Sequence, residues 1–101
     1  MKVKITKPAL ARLMAIHEYH KKEGNISKGI AIQKKIVQMT QLLGDNPLLG
    51  KKEKQLVDMG LGHRSLVIDR HYKVIYRIGK VDLYITDIFD VRQDPEKMKP
   101  D

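Results

Sequence analysis

The side chains best suited to chemistry in this sequence are cations that recur through its second half: Arg64, Lys73, Arg77 and Arg92. They lie in stretches rich in Val, Ile and Tyr, the composition of β-strands. Lys73 and Arg77 are separated by an even number of residues, so on a strand they project from one face and can converge on one anion. Clustered arginine and lysine neutralise phosphate, and in a nuclease they also stabilise the charge that develops on a phosphorane. The plainer alternative is a solvated sheet face. For Arg92 it is an ion pair with Asp90 or Asp94, or a cap on a carbonyl.

Other chemistries find less to work with. The absence of cysteine removes disulfides, thiolate zinc sites and a cysteine nucleophile. His17, His20, His63 and His71 have no companion ligands at metal-binding spacing, and the helical pair His17 and His20 reads as core or surface histidines. Gly60-Leu61-Gly62 lacks the spacing and the following helix of a phosphate loop and reads as a turn. No metal and no cofactor are expected.

The elements that must position the cations follow from local signals. Val3 and Ile5 alternate as in a short strand, and Thr6-Lys7-Pro8 then supplies a capping hydroxyl and an early proline, a helix start. Leu10, Leu13, Ile16, His17 and His20 give that helix an apolar side, and Gly24-Asn25 stops it. A second helix is predicted from Ser27 as N-cap, with a stripe of Ile32, Ile36, Met39 and Leu43, ending at Gly44 as the residue past its C-terminus. Asn46-Pro47 and Gly50 mark a connector, and Lys51-Lys52-Glu53-Lys54 has neither helical nor strand period, which makes it the predicted mobile stretch.

Three antiparallel strands are predicted next, Arg64 to Ile68, Tyr72 to Ile78 and Leu83 to Val91, in a meander. On the second, Tyr72, Val74, Tyr76 and Ile78 share one face, and Lys73, Ile75 and Arg77 the other. The tyrosines are assigned to packing rather than to base stacking. The third strand is apolar on both sides and belongs at the sheet's centre or under cover. Asp94-Pro95-Glu96 reads as the cap, proline and acidic first turn of a short terminal helix. The whole is one α+β domain over residues 1–101: an N-terminal strand, a two-helix hairpin packed on one face of an antiparallel meander, and a C-terminal helix. The other sheet face is left free to bind, gathering the cations.

Composition bounds the setting. A chain of 101 residues is long enough for one core, and 42% hydrophobic with 32% charged residues excludes both a disordered polyelectrolyte and a membrane protein. Met1-Lys2-Val3-Lys4-Ile5 lacks a signal peptide's apolar run, so a cytoplasmic location is expected, without membrane attachment. Twenty Lys and Arg against twelve Asp and Glu give +8, a charge suited to nucleic acid, an anionic surface or an acidic protein.

The order of pieces resembles the RelE/ParE toxins of bacterial type II toxin–antitoxin, or plasmid-stabilisation, modules. It is carried by Ala9, Leu13, Ile16 and Tyr19, by Asn46-Pro47-Leu48-Leu49-Gly50, by Arg64, by Tyr72 through Ile78, and by Val91-Arg92-Gln93-Asp94-Pro95. The resemblance implies a growth-inhibiting toxin wrapped by a cognate antitoxin, with operator DNA reached only through that partner. It implies one of two targets. In the RelE branch a ribosome-dependent endoribonuclease cuts mRNA with clustered cations, and Arg64, Lys73 and Arg92 fall on three of its basic places. A further lysine of that pattern falls at Leu66, and no tyrosine or histidine follows Tyr84 as proton carrier, leaving His63 or His71, or Lys51, Lys52 or Lys54 for the phosphate, as substitutes. In the ParE branch the toxin inhibits DNA gyrase without catalysis, through contacts that include Arg64, Lys73, Arg77, Arg92 and Gln93. The sequence through Arg92-Gln93-Asp94-Pro95 is closer to the ParE branch. A third reading is an inactive antitoxin-binding and co-repressor module.

Overall fold

The computed structural model describes Met1–Asp101. In chain order it runs β1 (Lys2–Ile5), α1 (Lys7–Lys22), α2 (Ile26–Asp45), β2 (Lys51–Lys52), a 3₁₀ helix (Lys54–Met59), β3 (Arg64–Asp69), β4 (Tyr72–Ile78), β5 (Asp82–Asp90) and a 3₁₀ turn (Pro95–Lys97). The strands form one sheet in the order β1-β5-β4-β3-β2. β1 pairs parallel with β5, and the other neighbours are antiparallel. β5 is therefore an interior strand, in keeping with its two apolar sides.

Local chemistry sets the helix ends. Thr6 caps α1 by accepting the Ala9 N–H. The C-terminus of α1 closes with Gly24 at φ 76°, Gly24 N–H to the Lys21 carbonyl and Asn25 N–H to the His20 carbonyl, the double bond pattern that glycine's left-handed conformation permits. The cap of α2 lies two residues before the predicted one: Asn25, not Ser27, accepts the Lys28 N–H, and the Ser27 hydroxyl bonds back to the Asn25 side chain. Its end also departs from expectation. Gly44 lies within the helix, capped by Asn46, and is small because a Cβ there would stand 2.8 Å from the Met1 carbonyl oxygen. The helix passes this close because the Met1 ammonium donates to the Gly44 carbonyl at 2.9 Å.

The helices cover one sheet face. Ala9 and Ile16 of α1 and Ile32, Ile36 and Leu43 of α2 pack on Tyr72, Val74, Tyr76, Leu83, Ile85 and Ile88. The buried side of α1 runs through Ala9, Leu13 and Ile16, and Leu10 is exposed, so the predicted stripe was rotated by one position. The tyrosines of β4 are core residues, both almost fully buried. His20 Nε2 and the Tyr72 hydroxyl meet at 3.0 Å, and the His17 ring packs where Gly29 leaves room.

The opposite face is not free. The 3₁₀ helix and the C-terminal residues fold over it, and Leu56, Ile75, Phe89 and Met98 form a second buried cluster. Two expectations are corrected here. The Lys51–Lys54 run is an edge strand leading into a helical turn, held because Glu53 N–H donates to the His63 carbonyl and Leu56 is buried. The terminal helix is a single 3₁₀ turn capped by Asp94, followed by an extended strap. No helix is long and apolar enough to cross a membrane.

Candidate functional site

The sheet register decides which cations meet. Arg64 is opposite Tyr76, and Val67 is opposite Lys73. Directly opposed residues share a face, so Arg64 lies on the helix-covered side while Lys73 and Arg77 lie on the strap-covered side. The three do not surround one space. Arg64 is half-buried and its Nη1 donates to the Gly50 carbonyl at 2.7 Å, which ties β3 to the connector. That connector is also held by the Tyr76 hydroxyl, which donates to the Pro47 carbonyl at 2.7 Å and accepts the Gly50 N–H at 2.8 Å.

Lys73 reaches Glu53, whose carboxylate is almost buried and whose other oxygen caps the 3₁₀ helix by accepting the Gln55 N–H. Burial pushes the Glu53 carboxyl up, but the Lys73 ammonium and the Gln55 N–H outweigh it, and the group sits below its usual range. Arg77 shares that face and stacks on Tyr84, its guanidinium carbon 4.7 Å from the ring centre. Lys73 and Arg77 thus keep the common face that their spacing predicts, but each has its own partner.

Arg92 stands apart, at the exit of β5. It clasps Asp90 through two bonds of 3.0 and 2.9 Å, the ion pair weighed as the plain alternative. The Asp90 carboxyl is held below its usual range by that guanidinium. Gln93 accepts from Arg12 Nη1 at 3.2 Å. Arg12, Tyr19, Tyr72, Asp90, Arg92 and Gln93 line a cleft of about 320 Å³ between α1 and the end of β5. Tyr19 and Arg92, both half-exposed, present an aromatic ring and a predicted cation to this cleft.

Sequence reasoning missed Arg12 and Asp87. Asp87 is fully buried on β5 and faces Arg12 Nε at 3.4 Å. A bulge sets its position, since Ile75 pairs with Asp87 and Tyr76 with Ile85, leaving Thr86 as the extra residue. The signal was present as Thr86-Asp87, a polar pair inside an apolar strand; Arg12 had none.

Burial raises the Asp87 carboxyl above its usual range, against the Lys99 N–H and Arg12. The folded state therefore favours the protonated form. Its contribution to stability is complete below the ordinary aspartate value of about 3.9 and is lost as pH rises through the raised value. Glu53, Asp69 and Asp90, all lowered, work oppositely: their contributions are present above the ordinary range and disappear as pH falls through the lowered values. Asp87→Asn is accordingly expected to stabilise the fold at pH 7, with the gain shrinking towards zero as pH falls below about 4. Urea denaturation at both pH values checks this, and a gain that grows on acidification contradicts it.

The helix-backed five-stranded sheet and the excess of basic residues define a small basic α+β domain. The description "ParE toxin of type II toxin-antitoxin system, parDE" belongs to the family model that matches residues 3–95. The chain belongs to that family. Among solved structures, one described as "Chromosomal ParDE TA system from P. aeruginosa" superposes with a TM-score of 0.73 at 24% identity, over 90% of this chain and 96% of that chain. No curated protein matches.

Proposed function

We propose that this toxin inhibits growth by docking on DNA gyrase in the cytoplasm, without catalysing a reaction, and that a cognate antitoxin neutralises it and alone connects it to operator DNA. The observation that carries this reading is the dispersal of the cations. Arg64 is spent on a backbone carbonyl, Lys73 on Glu53 and Arg92 on Asp90, so no two of them clasp a single anion. Phosphoryl-transfer catalysis needs such groups preorganised on the reacting phosphate. Docking needs only a shaped, charged surface, and +8 supplies long-range attraction to an acidic target. Arg64, Lys73, Arg77, Arg92 and Gln93 are the proposed contacts.

The second reading, a ribosome-dependent endoribonuclease, draws on the cleft that Arg92 and Tyr19 both line. Induced expression separates the two. Gyrase inhibition predicts intact transcripts with a DNA-damage response; cleavage within codons, seen by primer extension, supports the nuclease instead. Harmless expression supports an inactive co-repressor module. Replacing Arg64, Lys73 and Arg92 together with alanine is expected to relieve toxicity, and undiminished toxicity refutes the assignment of these residues.

A further inference from the structure

Asp87 is a fully buried carboxylate for which packing supplies no need. Its Oδ2 accepts the Lys99 N–H at 2.9 Å, a bond that the oxygen of an asparagine would accept equally well. Its Oδ1 has no hydrogen-bond partner. A buried charge costs more than a neutral side chain of the same shape, so the charge is explained by what it faces. That is the guanidinium of Arg12, whose Nε lies 3.4 Å from Oδ1. An asparagine whose oxygen served Lys99 would instead turn its donor-only nitrogen towards Arg12.

Arg12 carries the constraint outward. Its side chain is largely covered, and its Nη1 donates to Gln93 Oε1 at 3.2 Å. A guanidinium is planar, so holding Nε fixes the direction of the Nη donors. Arginine has no acceptor, and the oxygen of the Gln93 amide is therefore the atom turned towards it. The N–H donors of the same amide then point away from Arg12, on the exposed rim of the cleft. The main chain beneath is held as well: Gln93 N–H donates to the Asp90 carbonyl at 3.0 Å, and the Asp90 carboxylate clasps Arg92. Arg92 and Gln93 are thus each set by a different carboxylate, Asp90 directly and Asp87 through Arg12.

We propose that Asp87 and Arg12 are positioning residues for Gln93, turning its amide oxygen inward and presenting its N–H donors to a hydrogen-bond acceptor on the protein target. That the target is gyrase rests on the docking reading above; the orientation of the amide does not.

Gln93→Glu separates the two ends of that amide. Glutamate keeps the acceptor and pairs with Arg12 at least as well, but it has no donor to offer. The variant is expected to need about threefold or more protein than the parent to block supercoiling, the scale of one lost hydrogen bond. Asp87→Asn is expected to weaken inhibition by a similar factor while it raises the urea concentration needed for unfolding at pH 7; a purely structural Asp87 would leave potency unchanged. Arg12→Leu is expected to add no further loss in a Gln93→Ala background, because Arg12 acts through Gln93. Full potency of Gln93→Glu, or additive losses from Arg12 and Gln93, overturns the proposal. Gln93→Glu alters only the exposed rim, so it decides the matter even if Asp87→Asn fails to fold.

The orientation is also read on the free chain, by proton–nitrogen correlation spectra. The Gln93 side-chain amide signals are expected to shift in Asp87→Asn and in Arg12→Leu, and unmoved signals overturn the positioning whatever the target. A parent that leaves supercoiling undisturbed while these signals shift refutes the gyrase reading and supports the positioning, and the same variants are then ranked by growth inhibition.

Discussion

Gly50→Ala is expected to destabilise the fold by about 3–4 kcal/mol, the combined scale of overpacking a tight site and breaking buried hydrogen bonds. A Cβ at this position would stand 2.7 Å from the Ser65 carbonyl oxygen and 2.8 and 2.9 Å from the ring and hydroxyl of Tyr76. Neither neighbour can give way. Ser65 is fixed by pairing with both Lys51 and Ile75. Tyr76 is wholly buried, and its hydroxyl is bonded to Pro47 and to Gly50 itself. Relief requires the connector to lift, which also loses the Arg64 bond to the Gly50 carbonyl. For a chain of this size the loss corresponds to a fall in Tm of roughly 15 °C or more. Thermal unfolding followed by circular dichroism measures it; a fall under about 5 °C would mean that the connector is not locked.

Lys73→Ala is expected to cost about 2–4 kcal/mol at neutral pH, because it strands the Glu53 carboxylate, only 7% exposed, without its counter-ion. The loss comes from the unpaired charge more than from the missing lysine. The double change Lys73→Met with Glu53→Gln should therefore recover most of it, since a neutral, similarly shaped pair carries no unpaired charge. This pair also separates structure from function. If Lys73 contacts the target, the double variant is folded and remains less toxic. If Lys73 serves only the fold, toxicity returns with stability. Urea denaturation of the single and double variants, read beside growth curves, gives both answers; a single variant as stable as the parent contradicts the buried-charge account.

The parts of the fold that were legible in the sequence are those fixed by neighbours along the chain. Thr6-Lys7-Pro8 announces α1 because capping is a matter of three or four residues. The meander is visible because Val, Ile and Tyr alternate between turn residues. What escaped depends on partners distant in sequence. Gly44 has the residue type of a helix stop, yet it is small for the sake of Met1, forty-three positions earlier. The face of Arg64 relative to Lys73 depends on the turn between β3 and β4 and on the irregularity between Val67 and Asp69, and a shift of one residue exchanges the faces. The strap has no periodic pattern, because its stability comes from Thr86, Asp87 and His63 rather than from its own residues.

The candidate site was legible only in part. The residue types were found, and Lys73 and Arg77 keep a common face, but the free cationic sheet surface that was expected lies under the 3₁₀ helix and strap. Family membership accordingly rests on the match over residues 3–95 and not on a gathered set of cations.

Docking rather than cleavage is tested most directly by a gyrase supercoiling assay with the purified chain beside its Arg92→Ala, Gln93→Ala variant. Both residues lie on the exposed rim of the cleft, so the variant is expected to fold normally. The parent is expected to block supercoiling, and the variant to need about tenfold more protein for the same inhibition, the scale of losing a small group of interface contacts. Undisturbed supercoiling by the parent, in a preparation that cuts ribosome-bound mRNA, would contradict the account.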